Sequence, residues 1–128
     1  MDRTVLVDSD VLVDVARGHA ESIRQLAQLE ETAALAISVV TEMELVVGCR
    51  NKDELSGLHH FLRRFVRIPL KPEVGVSAVK LLEQYRLSQG LLIPDALIAA
   101  TALVEDLPLV TRNARHYRHV PGLRVTTP

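Results

Sequence analysis

The chain has 128 residues, 48% of them hydrophobic and 24% charged, enough for one domain with a buried core and too few for two. Its 15 basic and 16 acidic residues leave a net charge of −1, so no global field draws it onto a polyanion, and nucleic acid would have to be held by local patches. A lone cysteine, Cys49, excludes an internal disulfide, and two Phe, two Tyr and no Trp are too few for a platform that stacks single-stranded bases.

Short apolar runs alternate with helical stretches, the pattern of an α/β fold with a parallel sheet and helices on both faces. A strand is expected at 4–8, with a helix after it. Ile23, Leu26, Ala27 and Glu30 suit an amphipathic helix near 20–31. A second strand at 35–38 leads into a helical pattern carrying Glu44. Leu55, Leu58, Leu62 and Phe65 fall on one helical face, ahead of a strand at 66–69. Pro72 before Glu73 starts the next helix and Gly90 stops it, with Val74, Ala78, Leu81, Leu82 and Tyr85 on its inner side. Residues 96–104 are apolar nearly all round, so that helix is central. Strands at 108–111 and 123–126 complete one domain over 1–128, with no linker, repeat or low-complexity tract.

Four positions just beyond apolar runs carry the chemistry: Asp8, Glu44, Asp95 and the segment Thr111-Arg112-Asn113. If the runs are parallel strands or lead into helices, these residues meet at one edge of one sheet, where open α/β sheets bind ligands. Carboxylates gathered there repel each other and lose hydration unless a cation sits among them, which points to a divalent metal. Each position has a plainer reading. Asp8 can cap the following helix, as can Ser9 or Asp10; Asp10 and Asp14 otherwise read as solvated or capping acids. Thr41-Glu42-Met43-Glu44 matches a capping box, in which Glu44 reaches back to the Thr41 N–H. If the helix starts at Val39 instead, Glu44 projects from its second turn. Asp95 follows Pro94 at a helix start, where the macrodipole favours an acid by about 0.3–1 kcal/mol and keeps it ionised, as a metal ligand must be. Thr111 and Asn113 can bond a carboxylate or a water, or simply form a turn.

His116 and His119, beside Arg115 and Arg118, read as solvated surface, since zinc sites want Cys/His sets of definite spacing. Cys49, in an apolar helical stretch, reads as a small buried residue. Neither G-x-G-x-x-G nor G-x-x-x-x-G-K-[ST] occurs, so nucleotide cofactors are not expected. No signal peptide opens the chain, and no run reaches the roughly 18 apolar residues of a spanning helix. A soluble cytoplasmic protein that does not engage a membrane is expected.

Val5-Leu6-Val7-Asp8-Ser9-Asp10-Val11-Leu12 resembles the opening of a PIN-domain nuclease, where hydrophobic residues precede Asp-Thr-Asn. Ser38-x-x-Thr41-x-x-Glu44-Leu45-x-x-Gly48 is similar to its second motif and Pro94-Asp95-Ala96-Leu97-Ile98-Ala99-Ala100-Thr101-Ala102 to its third. Thr111-Arg112-Asn113 with Tyr117 resembles the fourth. The order and the length are those of the VapC toxins of type II toxin–antitoxin pairs. The resemblance implies a metal-dependent endoribonuclease in which Asp8, Glu44 and Asp95 hold Mg²⁺ or Mn²⁺, with Thr111 and Asn113 orienting ligand and water. Arg112 and Arg115, near the same edge, are then candidates for phosphate contacts. It also implies a cognate small antitoxin, an RNA substrate, a homodimer formed through the helices flanking 39–65, and operator DNA reached only through the antitoxin. Two departures stand out: Asp10 lies where Asn is common, and Asn113 and His116 lie where many members carry Asp, which bears on a second metal ion and not on the first. A receiver domain also clusters acids on a parallel sheet, but it needs a late Lys, and the last here is Lys80. The remaining alternative is a catalytically inactive PIN-like scaffold that binds a protein partner.

Overall fold

The apolar runs form five parallel strands in one sheet: β1 (Thr4–Val7), β2 (Ala34–Ser38), β3 (Val66–Ile68), β4 (Leu109–Val110) and β5 (Val125–Thr126), in the order β3-β2-β1-β4-β5. The structure, a computed structural model, describes residues 3–128. Six α-helices connect the strands among these residues: α1 (Ser9–Ala16), α2 (Ala20–Thr32), α3 (Val39–Val47), α4 (Lys52–Phe61), α5 (Pro72–Gln89) and α6 (Ile93–Glu105). None of them is long and apolar enough to cross a membrane.

Strand side chains alternate between faces, and the two cores follow that alternation. Leu6, Ala36 and Leu109 face one layer, packed against Val74, Ala78 and Leu81 of α5 and Ala96, Ile98, Ala99 and Ala100 of α6. Val5, Val7, Leu35, Ile37 and Val110 face the other, against Val11 and Leu12 of α1, Leu26 of α2, Leu45 of α3, and Leu62 and Phe65. The small residues of α6 let it lie close to the sheet, which is why 96–104 needs no polar face. Gly90 ends α5 at φ 70°, a left-handed conformation that glycine adopts without a Cβ penalty.

Several local expectations change in detail. Leu55, Leu58, Leu62 and Phe65 do not share one helix: α4 ends at Phe61, a 3₁₀ turn covers Leu62–Arg64, and Phe65 is already extended. The tighter turn still aims Leu62 and Phe65 into the core. In α2 the buried positions are Ser22 and Leu26, while Ile23 is exposed. The strands expected at 108–111 and 123–126 shrink to two residues each. Cys49 is only half-buried, its thiol directed at the Leu45 carbonyl.

The chain leaves β1 toward β2 and β3, then returns to lay β4 and β5 on the other side of β1. The carboxyl ends of β1 and β4 are therefore the switch point of the sheet, where adjacent connections diverge and leave a crevice. Leu6, fully buried in the central strand, anchors that geometry. Leu6→Ala should lower the unfolding free energy by about 2–5 kcal/mol in urea titration; a loss below about 1 kcal/mol would contradict this packing.

Candidate active site

Asp8 is the residue after β1, and its extended backbone makes it the N-cap of α1, with Oδ1 accepting from the Ser9 N–H at 2.8 Å. The capping role and a place in the crevice thus coexist. Its other oxygen, Oδ2, accepts from the Thr111 hydroxyl across the sheet at 2.8 Å. Only 5% of Asp8 is exposed. Burial pushes its carboxyl up to about 6, the Asp10 charge adds to that, and the bonds from Thr111, Ser9 and Tyr117 pull the other way.

Glu44 depends on where α3 begins. Ser38 caps the helix by accepting from the Val40 N–H, so α3 starts at Val39 and the capping box at Thr41 does not form. Thr41 is instead fully buried, in contact with the Ser9 hydroxyl at 3.0 Å. Glu44 projects from the second turn and accepts from that same Ser9 hydroxyl at 2.6 Å. A hydroxyl has one proton, so Ser9 gives it to the carboxylate and takes one from Thr41.

Asp95 lies in the first turn of α6, after Pro94, where no side chain caps the helix. Burial raises its carboxyl above the usual value; the Tyr117 hydroxyl and His116 oppose that rise, while Glu44 and Asp10 add to it. Tyr117, 1% exposed, donates to Asp95 Oδ1 at 3.2 Å. Burial, with the Asp8 and Asp95 charges next, drives the phenol's proton affinity far up, so the hydroxyl remains a donor.

Thr111 faces Asp10 as well as Asp8, and Asn113 faces Asp10. The Thr111 hydroxyl is 3.3 Å from Asp10 Oδ2, which also accepts from the Asn113 side-chain amide at 2.9 Å and the Arg112 N–H at 3.1 Å. Asn113 thus acts on Asp10 rather than on Asp8, Glu44 or Asp95. Asp10 Oδ1 is buried with no hydrogen-bond partner among the described residues.

The four acids line one cavity of about 700 Å³, together with Ser9, Asn113, His116 and Tyr117 and a rim of Asp14, Arg17, His19 and Arg112. Arg112 pairs with Asp14 there, and His19 lies 3.7 Å from the same carboxylate. Asp14, read from sequence as solvated or capping, is a rim residue. His116 reaches the cavity too, whereas His119 packs tilted against Tyr85, ring centroids 4.6 Å apart, with Nε2 buried and without a partner among the described residues. No three His, Cys, Asp or Glu side chains among the described residues close around a single point as they stand: the carboxylates are held apart, each turned to a hydroxyl or amide. Sequence reasoning passed over Ser9 and the hydroxyl of Tyr117. Their partners lie 35 and 22 residues away, and only the motif position of Tyr117 pointed toward the site.

The PIN domain family model matches residues 5–122. Ribonuclease VapC19 of Mycobacterium tuberculosis is 34% identical over 121 residues, covering 93% of this chain and 96% of its own. A toxin–antitoxin complex from Klebsiella pneumoniae superposes with a TM-score of 0.79 at 31% identity, over 97% of both chains. VapBC2 from Rickettsia felis, bound to a DNA fragment from their promoter, gives 0.81 at 25% identity over 98% of both. A family-model match that runs from β1 to the loop before β5 makes this chain a member of the PIN domain family.

Proposed function

We propose that the chain is a metal-dependent endoribonuclease of the VapC kind, the toxin of a type II toxin–antitoxin pair acting in the cytoplasm. The observation that carries this reading is the set of carboxylates Asp8, Asp10, Glu44 and Asp95 lining one cavity, with Asp8 driven up to about 6 by burial and by Asp10. Asp8 and Asp95 accept hydrogen bonds from neutral groups, Ser9 and Thr111 for one and Tyr117 for the other. With Glu44 and the Oδ1 of Asp10, which has no partner among the described residues, they form a donor set of carboxylate oxygens. That chemistry fits Mg²⁺ or Mn²⁺.

Asp8, Glu44 and Asp95 would hold the ion. Bound there, a divalent ion supplies Lewis acidity toward a phosphodiester oxygen and makes a nearby water more acidic. Thr111 fixes the Asp8 carboxylate through its hydroxyl, and Asn113 with the Arg112 N–H fixes Asp10. Arg112 and Arg17 line the rim, where Arg112 can exchange Asp14 for a phosphate oxygen and hold the RNA backbone over the acids. Arg115, exposed nearby, extends that basic edge.

A groove lined by Val13, Val15, Leu45, Leu58 and Phe61 adjoins the cavity and shares Glu44 with it. It suits the apolar face of a small antitoxin, through which alone operator DNA is reached. The Klebsiella pneumoniae relative is itself a toxin–antitoxin complex. Met43, Val46 and Val47 are exposed on α3, Val47 to 84%, and such a face supports a homodimer through this region.

Incubated with a mixed RNA pool, the purified chain should cleave with Mg²⁺ or Mn²⁺ and stop in EDTA. Asp95→Asn, which removes only a charge, should lower cleavage at least about a hundredfold. Full activity in EDTA would defeat the metal mechanism. Stability should move the opposite way. Raising a carboxyl from 3.8 to about 6 disfavours the folded protein by roughly 3 kcal/mol at neutral pH. The folded state binds this proton more tightly than the unfolded state, so the stability it confers is complete below pH 4 and is lost as pH rises through 6. In metal-free buffer Asp8→Asn should therefore raise Tm at pH 7 and change it little at pH 4. A variant less stable at pH 7 would contradict the cause assigned to that raised value.

A further inference from the structure

Tyr117 belongs to the core by its ring and to the cavity by its oxygen. The ring packs in the layer of α5 and α6, and backbone bonds from Tyr117 N–H to the Ala114 carbonyl and from Val120 N–H to the Tyr117 carbonyl fix it in place. The Tyr117 hydroxyl lies near enough to Asp8 to pull that carboxyl down, so it sits between two of the acids. That hydroxyl donates to Asp95 Oδ1 at 3.2 Å, leaving Oδ2 uncommitted among the described residues. Among the described residues the Asp95 side chain accepts no other hydrogen bond, and it sits in the first turn of α6. A free carboxylate at a helix start samples several rotamers, and ordering it opposes ligand binding.

We propose that Tyr117 is a positioning residue: its hydroxyl holds one oxygen of Asp95 so that the other is presented to the cavity before any cation arrives. This rests on reading the cavity as a divalent-cation site. Ser9 and Thr111 tie Glu44 and Asp8 in the same manner, so each of the three acids meets its own hydroxyl. Tyr117 differs in being replaceable by a residue of the same shape. Phenylalanine keeps the ring in the core and removes only the donor. Partners of this kind, one bond removed from an ion, typically contribute about 10–100-fold to metal affinity.

The chain has no Trp and only two tyrosines, Tyr85 and Tyr117, so tyrosine emission reports on the site directly. A phenol that donates to a carboxylate emits weakly, and its emission changes when the carboxylate binds a cation. Adding Mg²⁺, which is diamagnetic, to the full chain should change the emission of the wild type and of Tyr85→Phe but not of Tyr117→Phe. Calorimetric titration with Mn²⁺ should show Tyr117→Phe binding about tenfold or more weakly, with thermal unfolding of the metal-free proteins confirming that the variant is folded. An unchanged Mn²⁺ affinity in a folded Tyr117→Phe overturns the positioning role while leaving the metal site intact. No Mn²⁺ binding by the wild type overturns both. Should Tyr117→Phe fail to fold, the emission of Tyr85→Phe decides: a response to Mg²⁺ supports the coupling of Tyr117 to Asp95, and none overturns it.

Discussion

One proton on the Thr111 hydroxyl faces two carboxylates, Asp8 at 2.8 Å and Asp10 at 3.3 Å. It satisfies the nearer one, and the rest of the site is arranged around that shortage of donors. Asp10 draws instead on Asn113 and a backbone N–H, and its second oxygen is buried with no partner among the described residues. Charges this close in a low-dielectric crevice are costly unless compensated. The protein tolerates them because the sheet, not the acids, sets the backbone. β1 and β4 are locked side by side through the Leu6–Leu109 and Val7–Val110 register, which fixes where Asp8 and Thr111 emerge.

The division of labour between core and edge is sharp. Leu6 and its neighbours fill one layer and Val5 and Val7 the other, so the last three residues of β1 all pack in the core before the chain reaches Asp8. Ser9, Thr41 and Thr111, all buried and polar, then form a hydroxyl layer between the apolar core and the acids. Each gives a short, directional bond without adding a charge. Basic groups are kept to the rim, where Arg112 is occupied by Asp14 and so does not neutralise the cavity from within.

Much of this was legible in the sequence because it is local. The apolar run Val5-Leu6-Val7 leading into Asp8, Pro94 ahead of Asp95, and Thr111 after Leu109-Val110 each mark a strand end or a helix start, and parallel strands bring such ends together. Glu44 was ambiguous because Ser38 and Thr41 are both good caps; burial of Thr41 under Ser9 decided in favour of Ser38. What stayed hidden depends on distant partners: Ser9 with Glu44, Tyr117 with Asp95, and Arg112 with Asp14. The break after Phe61 was missed for a related reason. A 3₁₀ turn keeps the apolar spacing of Leu58, Leu62 and Phe65 nearly in phase, so periodicity alone reads straight through it.

The acids at this edge are arranged to hold a cation, and proton release on metal binding tests that most directly. Asp8, pushed up to about 6, is partly protonated at that pH and must lose its proton to bind an ion. Calorimetric titration with Mn²⁺ in buffers of differing ionisation enthalpy should show about half a proton or more released per ion near pH 6 and almost none at pH 8. Mn²⁺ binding with no proton released at pH 6 by the wild type would contradict the account.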